Sequence, residues 1–272
     1  MPSAPVLKRS IKSLLGGLMF GARLDRILLG RAAVVVAFHR IQEAPPSDTL
    51  SIDPDMFERL CRVFRQRFRV VPLGELLDRH ERGCSLDRHL AITFDDGYRD
   101  NFVNARPVLE QLSLPATFFV VSEWVGSAVL PWWDRDAAVR HPLMSWDEIA
   151  TLAAKGFEIG AHTRTHVDLG QVGGTEAWEE IAGSRRDLEH RVQSRVDLFA
   201  CPYGGRDNLA PANRELVRAA GFRCCCSCYG GITLAGTDPF HLPRVPISPW
   251  YRSPYQFGFD LVSSRGHLRA VR

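Results

Sequence analysis

The sequence has no N-terminal apolar run long enough to cross a bilayer. The uninterrupted run over residues 14–22 is far shorter than the roughly 20 residues that a spanning helix needs, and Arg23, Asp25 and Arg26 separate it from the next apolar residues. The chain also contains no internal repeat, low-complexity tract or linker. These absences exclude a repeat array and a chain of separate modules.

Charge and cysteine content argue against a nucleic-acid-binding protein and against a protein held together by disulfides. A net charge of +3 is too small to indicate nucleic-acid binding, so we expect no nucleic-acid partner. The cysteines are odd in number and unevenly spaced, which is a poor disulfide framework. They are Cys61, Cys84, Cys201, Cys224, Cys225, Cys226 and Cys228. This pattern favours a reducing compartment, so we expect a cytoplasmic protein, with export as the open alternative.

Strand-like and helix-like segments alternate through most of the chain. The apolar runs over residues 32–38 and 89–94 are typical of strands buried on both faces. This alternation predicts an α/β fold with a parallel barrel or an open parallel sheet. We expect three parts along the chain. They are an N-terminal amphipathic helical segment over 1–31, a catalytic barrel over 32–260 and a basic C-terminal tail over 261–272.

The N-terminal residues 7–29 begin basic and then become apolar. Their apolar side chains recur at helical spacing, with Lys or Arg among them, and predict an amphipathic helix. These side chains are Ile11, Leu14, Leu15, Leu18 and Met19. Such a helix can contact an anionic membrane surface peripherally, or it can pack on the domain or close the bottom of the barrel. The sequence leaves these alternatives open.

Two adjacent carboxylates, Asp95 and Asp96, close the apolar run over residues 89–94. Side chains alternate along a strand, so both cannot face an apolar core, and burying carboxylates without partners is costly. At the carboxyl end of a strand, both can point into a polar mouth. The Asp-Gly pair at residues 96–97 also fits an ordinary turn.

Two histidines come after another short apolar strand. His162 and His166 lie at i and i+4, just past residues 157–159. One Asp and two His are oxygen and nitrogen ligands that a borderline divalent metal accepts, and they leave a coordination position for water. Parallel α/β folds gather their active residues at the carboxyl ends of strands. The sequence therefore predicts a metal-dependent hydrolase at a barrel mouth.

Three motifs, in this order and spacing, resemble the first three motifs of the polysaccharide deacetylase family, the metal-dependent carbohydrate esterases similar to chitooligosaccharide deacetylases. They are residues 93–97, the pattern His162-Thr163-x-x-His166 and residues 199–204. The resemblance covers roughly residues 34–250 and implies an irregular barrel of about seven parallel strands. It also implies hydrolysis of the N-acetyl amide of an amino sugar in a polysaccharide or lipid-linked saccharide.

Two alternatives to this function remain at the level of sequence. Other members of the resembling family deformylate sugars or open cyclic amides, so another carbon–nitrogen hydrolysis at the same site is one of them. The other alternative is a catalytically silent saccharide-binding module on the same barrel.

The resemblance implies a role for each residue of the motifs. Asp95 would be the general base, and the backbone amide of Tyr203, after Pro202, would donate to an oxyanion. One divalent cation, with Zn expected and Co, Ni or Fe also accepted by these ligand types, would be held by Asp96, His162 and His166.

The general acid has more than one candidate. In a circularly permuted branch of the resembling family the catalytic histidine lies on the first strand, and His39 fits that placement. The usual arrangement places this histidine late in the chain, which makes His267 a rival and His241 a lesser candidate. Asp134 is a candidate to polarise His39.

Two further candidates concern residues outside the motifs. The third motif of the family usually begins with an arginine that orients the base, but Phe199 stands here, and Arg244 is a candidate replacement at a strand end. Segment 123–144 breaks the alternation and carries several tryptophans. We expect Trp133 to bind substrate, with ordinary loop packing as the alternative.

Overall fold

The apolar runs of the sequence form the strands of a curled parallel sheet. The computed structural model describes residues 4–23, 31–43, 48–135, 137, 139–247, 249–251 and 253–261. Its strands are β1 Ala33–Phe38, β2 Arg40–Ile41, β3 Ser51–Ile52, β4 Arg69–Val70, β5 His89–Phe94, β6 Thr117–Val120, β7 Glu158–Ala161, β8 Cys226–Gly230, β9 Ile232–Thr233 and β10 Leu242–Pro246.

Helices connect these strands and cover the outside of the sheet. They are α1 Ala4–Gly21, α2 Pro54–Arg67, α3 Leu73–Glu81, α4 Arg106–Leu112, α5 Trp146–Ala154, α6 Gly174–Trp178, α7 Ser184–Val192 and α8 Pro211–Ala219. One π-helical turn, Asn101–Ala105, leads into α4, and another, Glu179–Gly183, joins α6 to α7. None of the helices in the described part of the chain has the length and apolar character needed to cross a membrane.

The sheet curls until its two edges meet. Its parallel neighbours run in the order β7, β6, β5, β1, β10 and β8. Residues 199–200 bridge the two edges, because Ala161 pairs with Phe199 on one side and Ala200 pairs with Cys226 on the other. The predicted α/β barrel of parallel strands is therefore confirmed. Because residues 199–200 form isolated bridges instead of a full strand, the barrel is irregular.

Alternation along the strands divides the core into two layers. In β1, Val34 and Val36 face the helices, whereas Val35 faces the barrel interior. The inward layer includes small side chains, among them Cys224 and Cys226. Helix α3 closes its lower end with Leu73, Leu76 and Leu77. Because α3 fills this place, the structure does not support the alternative in which α1 closes the barrel bottom.

Helix α1 lies on the outer wall instead. Phe20 is fully buried and packs against Phe68 and Tyr255, with ring centroids 6.4 and 6.3 Å away. Its carbonyl accepts a hydrogen bond from Arg67 at 3.0 Å. Packing on the domain thus accounts for one side of this helix. The basic tail expected over 261–272 lies almost wholly outside the described residues.

Three residues of the predicted site come directly after strand ends. Asp95 follows β5, His162 follows β7 and His39 follows β1. Because these strands are parallel, their carboxyl ends meet at the same mouth, as in other parallel barrels.

Asp100 and Asn101 fasten the backbone beside His39. The Asp100 Oδ1 atom accepts hydrogen bonds from the Ile41 amide at 2.7 Å and from Asn101 Nδ2 at 2.6 Å. Asn101 Nδ2 also donates to the His39 carbonyl at 2.8 Å. These bonds tie the segment after β5 to the end of β1, so they fix the position of the His39 backbone.

Asp100→Asn should change how stability depends on pH. Burial raises the pKa of Asp100 to about 6, whereas an unfolded Asp titrates near 3.9. The stabilisation from the protonated form is therefore complete below pH 4 and is lost as pH rises through 6, which amounts to about 3 kcal/mol. Asn keeps the acceptor oxygen without the charge. We expect the variant to exceed wild type in free energy of unfolding at pH 7 but not at pH 4.

Urea unfolding at both pH values measures this difference. The matched control is Asp207→Asn, which changes an exposed carboxylate and should keep the wild-type pH dependence. An Asp100→Asn curve parallel to wild type would show that Asp100 does not titrate in this range.

Candidate active site

The carboxyl ends of the strands surround an open cavity of about 340 Å³. Most of the residues predicted from the sequence line this cavity. They are His39, Asp95, Asp96, His162, His166, Tyr203 and Trp133. Residues separated by more than 160 positions in the chain thus meet in one place.

Asp96 and the two histidines form a compact set of ligand atoms. The Asp96 Oδ1 atom lies 3.4 Å from His162 Nε2 and 3.3 Å from His166 Nε2. All three side chains are buried, and their ligand atoms lie within 4.8 Å of one another. Four-coordinate Zn with bonds near 2.1 Å separates its ligands by about 3.4 Å. The spacing therefore fits a divalent cation.

The hydrogen bonds of this cluster also fit a metal site. Asp96 Oδ1 is buried and has no hydrogen-bond partner among the described residues, an arrangement that is costly unless something else satisfies the oxygen. His162 donates from Nδ1 to the Ala200 carbonyl at 2.8 Å, so in the neutral ring the Nε2 atom that faces Asp96 carries the lone pair. This second interaction fixes the tautomer that a metal requires.

A left-handed backbone conformation at Asp96 lets neighbouring carboxylates share one cavity. Its φ is 71°, which is uncommon for a residue with a side chain. In an extended strand, adjacent side chains would point to opposite faces. Thr163, His166 and Tyr203 adopt the same region, with φ of 62°, 63° and 60°. Strained backbone of this kind clusters at functional sites, where the surrounding structure holds it in place.

Burial and the neighbouring charges shift the pKa values of this cluster in opposite directions. Burial raises the pKa of Asp96, but the histidines outweigh burial and hold that pKa well below its usual value. Burial lowers the pKa of His162, but Asp96 and Asp95 reverse the effect and raise it. Burial also lowers the pKa of His166, and there burial prevails. Asp96 is therefore ionised, as a metal ligand must be.

Asp95 has a different partner from Asp96. Arg244 is fully buried in β10, and it donates from Nη1 to Asp95 Oδ1 and from Nη2 to Oδ2, each at 2.7 Å. The same guanidinium donates to Thr93 Oγ1 at 3.1 Å and to the Ser227 carbonyl at 2.8 Å. Burial raises the pKa of Asp95, but the charge of Arg244 outweighs it and holds that pKa below its usual value.

The structure places Arg244 where the sequence analysis expected a replacement for the missing motif arginine. Phe199 is buried in the apolar core and packs against Phe222, with ring centroids 5.0 Å apart. An arginine at position 199 would have to compete with that packing. The functional role of Arg244 stays a prediction.

His39 lies beside Asp95 at the edge of the cavity. Its Nε2 atom is 3.9 Å from Asp95 Oδ2, and its side chain is partly exposed. The rival His267 lies outside the described residues. His241 packs against Tyr229 at 5.0 Å and is not among the residues that line the cavity.

Tyr203 contributes its backbone and its ring to the mouth. Its amide donates to no acceptor among the described residues, while the next amide, that of Gly204, donates to the Pro202 carbonyl at 2.6 Å. Its ring packs against His166 at 4.8 Å. A free amide at this turn is the feature that an oxyanion donor needs.

Trp133 is held by a buried polar network. Its Nε1 donates to the Tyr98 hydroxyl at 2.9 Å, and that hydroxyl donates to Asp134 Oδ2 at 2.7 Å. Arg40 donates to Asp134 Oδ1 at 2.6 Å and to Asp48 at 3.0 Å. Arg40 and Tyr98 therefore hold both oxygens of Asp134, which argues against its candidate role of polarising His39.

The network joins two loops that both line the mouth. Asp48 accepts the amides of Leu50 and Ser51 at 2.8 and 3.0 Å, and Leu50 lines the cavity. Trp133 packs against His166 at 4.9 Å. Sequence reasoning did not find Arg40 or Tyr98. The available signal was their place in the sequence, because Arg40 directly follows His39 and Tyr98 directly follows Gly97.

Asp95 and Arg244 should be coupled in a double-mutant cycle. Removing one partner of a buried ion pair leaves the other charge uncompensated and costs about 3–5 kcal/mol. Asp95→Asn and Arg244→Met should therefore each destabilise the protein. The double variant should be more stable than the sum of the single losses predicts. Urea unfolding of the four proteins measures the coupling, and additive losses would show that the pair is not a unit.

Metal binding should depend on the three clustered ligands. We expect protein stripped of metal to take up one equivalent of Zn or Co, because the ligand spacing and the unpaired Asp96 oxygen fit one ion. Asp96→Ala, His162→Ala and His166→Ala should each lose that equivalent. The exposed His190 provides a matched control, and His190→Ala should retain it. Elemental analysis after dialysis gives the metal content, and a retained equivalent in the ligand variants would contradict the assignment.

The chain is similar to known proteins over much of its length. The family model described as polysaccharide deacetylase matches residues 82–225, just over half of the 272-residue chain. A chitooligosaccharide deacetylase from Sinorhizobium fredii is 32% identical over 114 residues, which cover 41% of this chain and 40% of that protein. The chain spans about half or less of the length of the curated relatives it matches.

Solved structures share the fold. The deacetylase PplD of Streptococcus pyogenes, solved in complex with acetate, superposes with a TM-score of 0.71 at 18% identity, covering 83% of this chain and 96% of that one. IcaB from Ammonifex degensii superposes with a TM-score of 0.69 at 24% identity, covering 86% of this chain and 97% of that one. With the family model and the motifs at the barrel mouth, these findings show that the chain belongs to the polysaccharide deacetylase family.

Proposed function

We propose that this protein is a metal-dependent hydrolase that removes the N-acetyl group from an amino sugar in a polysaccharide or a lipid-linked saccharide. The observation that carries the proposal is that two adjacent carboxylates have different partners. Asp96 faces two histidine nitrogens at 3.3 and 3.4 Å, while Asp95 is held by Arg244. Membership of the polysaccharide deacetylase family supports the substrate class.

Each carboxylate then has its own task. A divalent cation held by Asp96, His162 and His166 would polarise the amide carbonyl and lower the pKa of a water molecule bound to it. Asp95 is ionised because Arg244 stabilises its charge. It is buried at the cavity wall, where it can take the proton of the attacking water.

Two other groups complete the reaction. The Tyr203 amide can donate to the oxyanion that forms on the former carbonyl oxygen. His39 lies 3.9 Å from Asp95, so it is close enough to the reacting centre to protonate the leaving amine. Pro202 fixes the turn that presents the Tyr203 amide. A different histidine, His267, would take this role if the chain had the usual family arrangement.

The aromatic loop at the mouth supports a saccharide substrate. Trp132 is 62% exposed and lines the cavity, and its Nε1 donates to the Tyr203 hydroxyl at 3.3 Å. An exposed indole beside a polar cleft offers a flat apolar face for the C–H side of a sugar ring. Trp133 lies deeper, against His166, and positions that ligand as well as lining the cavity.

A silent saccharide-binding module is the second candidate. The absent motif arginine at Phe199 was the feature in its favour. Arg244 provides a guanidinium on Asp95, which removes much of that support. Burying the Asp95–Arg244 ion pair and an Asp96 oxygen without a hydrogen-bond partner costs stability. A binding module has no chemical need for either feature.

Acetate release from short N-acetylglucosamine oligomers tests the proposal. Zn- or Co-loaded protein should release acetate, and stripped protein should not. Asp95→Asn should lower the rate by about 10²- to 10⁴-fold, the usual contribution of a general base. Because this variant also leaves Arg244 unpaired, its folding is checked by thermal unfolding at the assay temperature. The exposed Asp207→Asn serves as the matched control and should keep wild-type activity.

Each result assigns the protein to one candidate. Metal-dependent acetate that disappears in Asp95→Asn supports the deacetylase. Formate released from an N-formylated sugar, without acetate from the acetylated one, would assign a deformylase. Saturable oligomer binding without release of either acid would assign a binding module.

A further inference from the structure

Helix α1 is apolar on two sides, and only one of them is covered by the described part of the protein. On the covered side, Met19 and Phe20 are buried, and Gly16 packs so closely on Tyr255 that a Cβ atom would lie 1.8 Å from the Tyr255 carbonyl oxygen. Lys12 forms an ion pair with Asp260 at 3.0 Å. These contacts fix the rotation of the helix about its axis, so its outer side cannot turn inward.

The outer side carries a continuous apolar stripe. Ile11, Leu14, Leu15 and Leu18 are 48%, 64%, 45% and 60% exposed. Their spacing of i, i+3, i+4 and i+7 places them on one face of the helix. Single exposed apolar residues are ordinary on a soluble protein, but a contiguous patch of branched side chains marks an interaction surface.

The charge of the same segment is strongly positive. Residues 1–31 contain one acidic residue, Asp25, and six basic residues, so their net charge is +5, whereas the whole chain carries +3. Residues 32–272 therefore sum to −2. The basic residues are Lys8, Arg9, Lys12, Arg23, Arg26 and Arg31. Apolar side chains on one face of a helix with basic residues nearby are the combination that binds anionic lipid surfaces.

We propose that the outer face of α1 docks this protein on an anionic membrane surface, with the helix lying in the plane of the headgroups. The stripe of residues 11–18 would enter the headgroup boundary, and the net positive charge of residues 1–31 would favour anionic headgroups. Tyr255, which packs beside α1 and is partly exposed, suits the same boundary, where amphipathic aromatic rings concentrate.

A second copy of the chain suits this surface less well. A stable dimer buries roughly 800 Å² on each partner, and the stripe offers four side chains on two helical turns. A symmetric pairing of this face would also bring two segments of net charge +5 together, which is unfavourable without compensating acidic groups. The charge argues for a partner with the opposite sign.

Vesicle flotation with the whole 272-residue chain tests the docking and needs no turnover. Protein should float with vesicles that contain phosphatidylglycerol and not with pure phosphatidylcholine vesicles, and binding should weaken as salt increases. Leu14→Glu combined with Leu18→Glu should abolish flotation, because two charges enter the stripe. Val103→Glu is the matched control, since Val103 is a 50% exposed apolar residue elsewhere on the surface.

Three outcomes would overturn the proposal. The first is no binding of wild-type protein to anionic vesicles. The second is unchanged flotation of the Leu14→Glu/Leu18→Glu protein, with its fold verified by thermal unfolding. The third is a concentration-dependent dimer, seen by light scattering, that the same double variant dissociates, because this would assign the stripe to a second copy.

Discussion

The buried ion pair between Asp95 and Arg244 is the interaction on which the site depends. The two residues come from β5 and β10, which flank β1 in the sheet, so the pair forms only when these three strands are in register. Its bidentate geometry fixes both oxygens of Asp95. With those oxygens committed to Arg244, Asp95 keeps its charge beside the cavity, and Asp96 alone faces the two histidines.

Backbone geometry makes this division possible. An extended chain would point Asp95 and Asp96 in opposite directions, but the left-handed conformation at Asp96 turns the second carboxylate into the same cavity. The strain is held in place by the packed strand before it and by Gly97 after it, whose own φ is 79°. A neighbouring pair of identical side chains thus acquires different partners, and the partners give each carboxylate a different chemistry.

Much of the fold could be predicted from the sequence because its signals are local. Apolar runs and helical spacing predicted the alternation of strands and helices. The mouth was predictable because parallel strands bring their carboxyl ends together. The partners of Asp134 were not predictable, because Arg40 and Tyr98 reach it across the fold. Helical spacing also could not decide which side of α1 packs on the protein, since both sides are apolar.

The most direct test of this division between the carboxylates is anomalous diffraction at the zinc edge from crystals of Zn-loaded protein. Our account predicts one strong peak from a zinc ion. That ion is bonded to Asp96 Oδ1, His162 Nε2 and His166 Nε2 at about 2.0–2.2 Å, and Asp95 is still paired to Arg244. A zinc ion bonded to Asp95, with Arg244 released, would contradict it, and so would an ion bound away from these ligands.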